Sequence, residues 1–356
     1  MSGAAPLQLL WPLAVDGGLP DGLTEGPPEG LDPTRVLGEI RFGKVVGADH
    51  DLPGHPPCLR VRTPTLVPAQ PWRALWVSDS PLTEGVHGRV RYRHDERLLF
   101  GTIAVDETGF VAVDGASALQ QAATQAYDEL FAALGEAKFP GLLRVWNFLP
   151  RINEVENGIE RYRQFNIGRQ HAFAACGREL TGRVPAASAL GVDCGPLEIG
   201  FFATRGPLLA VENPRQVSAY HYPAEYGPRS PTFSRAVVAS LPGQDLLFVS
   251  GTASIVGHQT LHQDDVAAQT RETLVNLDTV HREAGRIAAG LGSTVADLCC
   301  LAYLRHAADL PAVRAEVRTA LGEDTQVCYV QADVCRADLL VEIEASGGHP
   351  TQGLMS

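Results

Sequence analysis

The chain has 356 residues and a formal net charge of −12 at pH 7. This length predicts two domains, and the acidic balance argues against binding to nucleic acid or to an anionic membrane surface. No apolar run reaches the ~18 residues of a membrane span, and the N-terminus lacks the basic start of a secretory signal, so a cytoplasmic location is expected.

The first part of the chain has the pattern of short strands followed by a helix. Residues 1–75 are rich in Pro and Gly, which predicts short strands joined by loops. The segments RALWVSDS, GRVRYRHDERLLFGTIAVDE and FVAVDG then alternate apolar and polar residues, which is typical of an antiparallel meander. The segment from Ser117 to Gly135 has helical spacing and should pack as an amphipathic helix on that sheet.

Beyond a linker near 182–192, a second series of elements follows. Five segments are predicted strands: LEIGFFATRG, LLAVENP, VSAYHYP, SRAVVASL and DLLFVSGTASI. The longest helical pattern of the chain is HQDDVAAQTRETLVNLDTVHREAGRIAAGLG. A strand (DLCCLAYLRH), a helix (LPAVRAEVRTALG) and two closing strands in TQVCYVQADVCRADLLVEIEAS come after it. This order predicts helices on one face of a mixed sheet.

The pattern as a whole predicts an α+β protein. We expect two portions, each a mixed sheet with helices packed on one face, and a cleft between them. The predicted bounds are 1–185 for an N-terminal α+β domain, 186–346 for a C-terminal domain and 347–356 for a flexible tail.

The sequence gives no sign of a bound metal or cofactor. Its seven cysteines are scattered without CxxC pairs, so neither a disulfide framework nor a structural zinc site is predicted. His258 and His262 lie four residues apart, but no third ligand accompanies them. No Gly-rich phosphate loop is present, so we expect no NAD, ATP or flavin.

The stretch from Arg144 to Phe173 is unusual for an acidic chain. It holds five arginines, a Trp and a Tyr, with no clean helical or alternating period. A planar guanidinium binds a carboxylate or phosphate through two hydrogen bonds, so the stretch predicts a pocket for a small anion. The alternative is a solvated segment with surface ion pairs.

Two family resemblances run through these segments. The order of the last portion, with GTAS before the long helix and VCRADLLVEIEA at the end, resembles the RidA (YjgF) family of small trimeric proteins. Over residues 85–345 the motifs RVWNFLPRINEVENGIERYRQFNIGRQHAF, AYHYP, FSRA, VSGTASIVGH and ADVCRADLLVEIE resemble the chorismatases. Those enzymes convert chorismate to pyruvate and a carboxylic acid with a six-membered ring.

The resemblance implies a RidA/YjgF-like, chorismate mutase-like C-terminal domain and a cofactor-free enzyme with chorismate as its small-molecule substrate. The chain would imitate internally part of the trimer that its smaller relatives form, so a monomer is expected. Chorismate has two carboxylates, and a site for both must supply cations at two places. The matching positions are Tyr162, Arg163, Asn166 and Arg169 at one end, and Tyr222, Arg235 and Arg336 at the other.

The chemistry also requires a general acid, because the enol ether breaks only after its terminal methylene carbon is protonated. Glu342 matches the family's acid, the first Glu of V-E-I-E. A half-buried strand position raises the pKa of a carboxyl group by desolvation. Glu344 has the same strand parity and is the rival; a strand-end Glu paired with an Arg is the structural alternative.

Three small residues are expected to decide the product. Cys335 occupies a position associated with the aromatising type of chorismatase, and its thiol would move a proton or assist ring opening, ionising beside Arg336. Inert packing is the alternative for this cysteine. Gly251 and Ala253 would line the ring face and control whether a water molecule fits.

The resulting functional hypothesis is a chorismatase that forms 3-hydroxybenzoate and pyruvate, with or without some 4-hydroxybenzoate. One alternative is a chorismate hydrolase that adds water and yields a dihydroxycyclohexadiene carboxylate. An alternative of another class is a RidA-like binding or imine deaminase protein, which would leave the arginine-rich stretch without a role.

Overall fold

The computed structural model describes residues 5–12, 30–44, 54–113, 115–288, 290–292 and 294–354. Part of the predicted strand-and-loop region 1–75 therefore lies outside the described residues.

Elements are numbered in chain order. The helices are α1 (Ala118–Ala137), α2 (Arg161–Ala175), α3 (Val266–Gly285) and α4 (Leu310–Leu321). The strands are β1 (Leu7–Pro12), β2 (Val36–Phe42), β3 (Cys58–Val61), β4 (Thr65–Val67), β5 (Trp72–Ser78), β6 (Thr83–His87), β7 (Val90–His94), β8 (Leu98–Val105), β9 (Gly141–Pro150), β10 (Val155–Glu156), β11 (Ile159–Glu160), β12 (Ala186–Val192), β13 (Leu197–Thr204), β14 (Leu208–Val211), β15 (Ala236–Leu241), β16 (Gln244–Thr252), β17 (Ile255–Val256), β18 (Gln259–Thr260), β19 (Cys299–Leu304), β20 (Val327–Gln331), β21 (Asp333–Val334), β22 (Val341–Gly347) and β23 (Thr351–Leu354).

Most of these strands form three mixed sheets. A five-stranded sheet has the order β23-β1-β5-β2-β3. The first seven-stranded sheet has the order β21-β12-β9-β13-β8-β7-β6, and the second has the order β14-β15-β16-β22-β19-β20-β4. The ribbons β10-β11 and β17-β18 stand apart. The predicted α+β class is confirmed.

Each seven-stranded sheet carries two helices on one face. Apolar side chains of α1 and α2 pack with those of β8, β9, β12 and β13 in one core. Those of α3 and α4 pack with β15, β16, β19, β20 and β22 in another. Helices α1 and α3 begin where the sequence supplies a cap, since Ser117 accepts a hydrogen bond from the Gln120 amide (3.1 Å) and Asp265 accepts one from the Ala268 amide (2.9 Å).

The helix-free faces of the two seven-stranded sheets share a third core with the five-stranded sheet. One aromatic ring from each sheet meets at its centre. The ring centroid of Trp76 lies 5.1 Å from that of Phe202 and 5.7 Å from that of Phe248, and the latter two are 5.4 Å apart. Such aromatic pairs add about 0.5–1.5 kcal/mol each beyond their buried area. No described helix is long and apolar enough to cross a membrane.

The structure corrects the predicted domain bounds. The boundary at 185/186 cuts through the first seven-stranded sheet, because β12 pairs in parallel with β9, and β13 pairs with both β8 and β9. The predicted flexible tail 347–356 instead includes β23, which pairs in parallel with β1. Both errors have one cause, since strand partners far apart in sequence leave no local signal.

Two predicted strands are also wrong. In FVAVDG the described residues form only an isolated bridge between Val113 and Ala116. In VSAYHYP a 3-10 turn covers Ala219–His221, and the segment belongs to the long connection between β14 and β15, which pair with each other in the second seven-stranded sheet. The long helical pattern that should reach Gly292 ends as α3 at Gly285.

Two helical glycines offer a matched test of how α1 and α2 pack. A methyl group on Gly168 of α2 would overlap the backbone carbonyl oxygen of Gln120 on α1, whereas one on Gly135 of α1 meets nothing within 4 Å. Gly168→Ala should therefore lower the free energy of unfolding by about 1–3 kcal/mol. Gly135→Ala should raise it by about 0.5–1 kcal/mol through helix propensity. Urea unfolding followed by circular dichroism measures both; equal effects would contradict the close helix contact.

Candidate active site

A cavity of about 330 Å³ is lined by residues of α2, β16, β22 and the loops beside them. Every residue predicted for the site lines it except Asn166 and Arg169. The lining residues are Glu160, Tyr162, Arg163, Tyr222, Tyr226, Pro231, Phe233, Arg235, Gly251, Ala253, Ile255, Cys335, Arg336, Ala337, Asp338, Leu339 and Glu342.

A bulge in β16 makes room for Glu342 in this wall. On β22, Glu342 is paired with Tyr303 of β19, but the pairing with β16 shifts between Val249 and Thr252. Gly251 lies in that shift, and a methyl group there would overlap Oε1 of Glu342. Bulges of this kind redirect a side chain beside a functional site. Gly251 is therefore needed to accommodate the Glu342 carboxyl group.

Glu344, the rival carboxyl group, is fully engaged elsewhere. It accepts hydrogen bonds from Nη2 of Arg144 (2.5 Å), Nε1 of Trp146 (2.8 Å) and Oγ of Ser188 (3.0 Å). It does not line the cavity. Among the described residues, by contrast, no hydrogen bond to the Glu342 carboxyl group is found, although that residue is only 3% exposed. Glu344 therefore has a structural ion pair, and Glu342 is available for chemistry.

The surroundings of Glu342 favour its protonated form. Burial raises the pKa of Glu342 to about 8, and the nearby Glu344 adds to the increase, while Arg144 and Arg235 oppose it. A carboxyl group with this pKa is mostly protonated at neutral pH. It can therefore donate a proton, which an ordinary glutamate cannot do at that pH.

Two guanidinium groups lie beside the Tyr222 ring. Arg235 donates from Nη2 to the Tyr222 hydroxyl (2.8 Å) and to the Val217 carbonyl (2.8 Å). Arg336 donates from Nη1 to the His258 carbonyl (2.8 Å). Nε of Arg235 and Nη2 of Arg336 are buried with no partner among the described residues. Both arginines line the cavity and retain a donor for a bound anion.

Aromatic rings hold these cations in place. Cζ of Arg336 lies 3.9 Å from the Tyr226 ring centroid and 5.0 Å from that of Tyr222. Cζ of Arg235 lies 5.3 Å from the Phe233 ring centroid and 5.6 Å from that of Tyr222. Cation–π contacts of this kind stabilise a partly desolvated guanidinium. The cavity thus has two fixed cationic positions that share one tyrosine.

The arginine-rich stretch contributes less to the cavity than its composition predicts. Of its arginines, only Arg163 lines the cavity. Arg144 pairs with Glu344. Arg161 is buried and pairs with Glu107 and Glu156 (both 2.7 Å). Arg151 forms surface ion pairs that include Glu156 (2.7 Å). The stretch thus supplies one cation to the cavity wall and several ion pairs to the scaffold, and its predicted binding of an anion stays a prediction.

Asn166 and Arg169 lie behind the cavity wall. They occur on α2 four and seven residues after Tyr162, on the face of the helix that the core covers. Nη2 of Arg169 donates to Oδ1 of Asn166 (2.8 Å), and the Arg169 guanidinium lies 5.1 Å from the Phe165 ring centroid. Neither residue lines the cavity, and Nδ2 of Asn166 and Nε of Arg169 are buried with no partner among the described residues. That the two residues bind substrate stays a prediction.

Cys335 lines the cavity as a neutral thiol. Burial raises the pKa of Cys335 to about 12, Glu342 adds to the increase, and Arg336 only partly offsets it. Arg336 does lower the pKa of this thiol, as expected, but desolvation outweighs the cation and the thiol stays neutral. A thiol remains a polarisable group and a weak hydrogen-bond donor.

Several lining residues were missed from the sequence. Tyr226 lies four residues beyond Tyr222 in the same loop, and Phe233 belongs to the FSRA motif. No periodic pattern in the sequence indicates that these two rings pack beside Arg336 and Arg235. Glu160, which precedes α2 and lies near Arg163 (3.3 Å), is the third residue missed. Aromatic residues next to motif arginines were the available signal.

Comparisons with known proteins place the chain in a family. A family model described as "Chorismatase FkbO/Hyg5-like, N-terminal" matches residues 74–203. A 3-hydroxybenzoate synthase of Streptomyces hygroscopicus is 37% identical over 331 residues, which are 89% of this chain and 92% of that protein. A chorismatase of Streptomyces rapamycinicus is 38% identical over 276 residues, 76% of this chain and 80% of that protein.

Solved structures agree with this relationship. The crystal structure of a chorismatase matches with a TM-score of 0.81 at 29% identity, and the match covers 98% of this chain and 99% of that chain. A Rid-family protein of Yersinia pestis matches 40% of this chain at 20% identity with a TM-score of 0.31, so that likeness is partial. The predicted family is confirmed by the curated relatives: this chain belongs to the chorismatases.

Proposed function

We propose that this chain converts chorismate to 3-hydroxybenzoate and pyruvate, with Glu342 as the general acid. The observation that carries the proposal is a buried, protonated carboxyl group on the wall of a cavity that also presents two guanidinium groups. Curated relatives named chorismatase and 3-hydroxybenzoate synthase support this activity. The cavity volume, about 330 Å³, is within the usual range for a small-molecule site.

Substrate recognition follows from the cations. Arg235 and Arg336 each keep a buried N–H donor without a described partner, which suits one carboxylate apiece. Arg163 adds a third cation at the wall formed by α2. The first two guanidiniums both contact Tyr222, which fixes the positions at which the two carboxylates of the substrate would bind. The ring of chorismate would then lie against the wall formed by Gly251, Ala253 and Cys335.

The acid step follows from Glu342. Its proton adds to the terminal methylene carbon of the enolpyruvyl group, and the ether becomes an oxocarbenium ion. The bond between ring carbon C3 and the ether oxygen then breaks, and that oxygen leaves as the keto oxygen of pyruvate. The C4 hydroxyl oxygen then bonds to the cationic C3 while its bond to C4 breaks, which moves the positive charge to C4, and loss of the C3 hydrogen as a proton makes the ring aromatic. That proton restores the acid, so the reaction needs neither water nor a redox cofactor.

The environment of the cavity favours this aromatising route over water addition. An apolar wall of the cavity is formed by Ala253, Ile255, Leu339 and the Cys335 thiol. Such a wall disfavours bound water, and water that did enter would compete with the C4 oxygen for the ring cation.

A RidA-like binding role is disfavoured, because Tyr162 and Arg163 of α2 line the same cavity as the C-terminal residues. All these groups come from one chain, which is consistent with activity as a monomer.

The proposal is tested with chorismate in ¹⁸O-labelled water, in the absence of metal and nicotinamide. We expect equal amounts of pyruvate and unlabelled ring product, identified as 3-hydroxybenzoate by mass spectrometry. A labelled diene diol would establish the water-adding alternative. Failure to release any pyruvate would reject chorismate cleavage altogether.

Glu342→Gln should lower kcat for pyruvate release by about 10²-fold or more, because the amide keeps the shape but has no acidic proton. In the wild-type enzyme the acid is active in its protonated form. The value of kcat/KM should therefore be constant below pH 8 and fall about tenfold per pH unit above it, as Glu342 ionises. Glu283→Gln at the partly exposed end of α3 is the matched control, with activity expected to be unchanged. A pH profile that stays flat to pH 10 would exclude Glu342 as the acid.

Cys335→Ala should change the ratio of 3-hydroxybenzoate to other ring products more than it changes KM. The reason is that the neutral thiol contacts the ring region of the cavity, whereas the substrate carboxylates are held by arginines. Product ratios by chromatography and KM from initial rates provide the measurement. An unchanged ratio and unchanged KM would assign this cysteine to packing, and Cys328→Ala in the core serves as the control for loss of a buried thiol.

A further inference from the structure

The inner face of α3 carries polar side chains where an amphipathic helix normally has apolar ones. Gln269, Thr270, Thr273 and Asn276 are each 0% exposed. A buried amide destabilises a protein unless it is hydrogen-bonded. The partners of these amides therefore indicate what they are for.

Asn276 binds one wall of the cavity. Its Nδ2 donates to the backbone carbonyl oxygens of Ala253 (3.0 Å) and Ile255 (2.9 Å), and both of those residues line the cavity. Its Oδ1 accepts from Nη1 of Arg215 (2.6 Å). Arg215 is fixed in turn by Glu272, also on α3 (2.5 Å). The amide is thus held with its donor towards the wall.

Gln269 binds a second wall in the same manner. Its Nε2 donates to the Asp338 carbonyl oxygen (2.9 Å), and its Oε1 accepts from the Leu340 amide (2.8 Å). Asp338 and Leu339 line the cavity, and Leu340 is two residues before Glu342. Because seven residues make two helical turns, Gln269 and Asn276 project from the same side of α3.

The two walls meet around Cys335. Ala253 and Ile255 from one wall pack with Val334 and Leu339 from the other, and Cys335 packs against this cluster. Without the amide donors, three backbone carbonyl oxygens of these walls would lose hydrogen bonds beside the cavity. A backbone carbonyl oxygen that loses its donor binds a water molecule when the site has the volume to hold one.

We infer that Gln269 and Asn276 are positioning residues that hold the two walls together around Cys335 and thereby keep water out of the reacting ring. The effect on the reacting ring rests on the proposed function, whereas the hydrogen bonds of Gln269 and Asn276 to the two walls do not. Neither residue lines the cavity, so both act through the backbone segments that they bind.

Asn276→Asp is the primary test, because it keeps the shape and the acceptor for Arg215 but removes the donor to Ala253 and Ile255. Gln269→Glu is the second variant and removes the donor to Asp338. Asp278→Asn, on the outer side of α3 and paired with Arg282, is the matched control. The readout is the ratio of ¹⁸O-labelled diene diol to unlabelled 3-hydroxybenzoate.

Each of the two variants should raise that ratio about tenfold or more, and the control should leave it unchanged. The ratio does not depend on how much enzyme is folded, so lost stability alone cannot move it. A wild-type ratio in both active variants would overturn the inference.

Amide hydrogen exchange followed by mass spectrometry gives a measurement that needs no substrate. Asn276→Asp should speed exchange in 251–261, and Gln269→Glu should speed it in 337–342, while the control changes neither segment. Faster exchange would support the positioning role even if wild-type protein released no pyruvate, an outcome that would reject only the proposed function. Unchanged exchange in both segments would overturn the positioning role of Gln269 and Asn276.

Discussion

The buried ion pair between Arg144 and Glu344 joins the two halves of the structure. Arg144 lies on β9 of the first seven-stranded sheet, and Glu344 lies on β22 of the second. Trp146 and Ser188 of the first sheet bind the same carboxylate. Removing one member of a buried pair leaves an uncompensated charge, which costs about 3–5 kcal/mol. The pair therefore specifies how the sheets are aligned.

This alignment determines where Glu342 lies. Side chains two residues apart on a strand point to the same face, so anchoring Glu344 to the first sheet directs Glu342 to that side as well. The Glu344 carboxyl group is paired with Arg144 and hydrogen-bonded on both oxygens. The Glu342 carboxyl group lies in a bulge beside Gly251 with its pKa raised. Two glutamates of the same motif thus differ in their bonding because of what surrounds each.

Local motifs predicted well which residues line the cavity. Glu342, Cys335, Arg336, Gly251 and Ala253 belong to short segments whose residues stay together in the fold, and all of them line one cavity. Strands and helices with clear periods, such as α1 and α4, were predicted near their observed bounds.

The failures have a common physical origin in contacts between distant segments. The membership of β12 and β13 in the first sheet, and of β23 beside β1, depends on pairings that leave no local pattern. Arg169 and Asn166 have the right residue types in the right motif, but both are buried and neither lines the cavity. The state of Cys335 depends on desolvation, which sequence does not reveal.

The two cations beside the Tyr222 ring, Arg235 and Arg336, also bear on how the products would leave. In the proposed binding mode, chorismate would contact both cations through two carboxylates of one molecule, and the second contact would benefit from a high effective concentration. Cleavage divides those carboxylates between pyruvate and the hydroxybenzoate. Each fragment would then have a single anchor, and the avidity that retained the substrate would disappear with the bond that is broken.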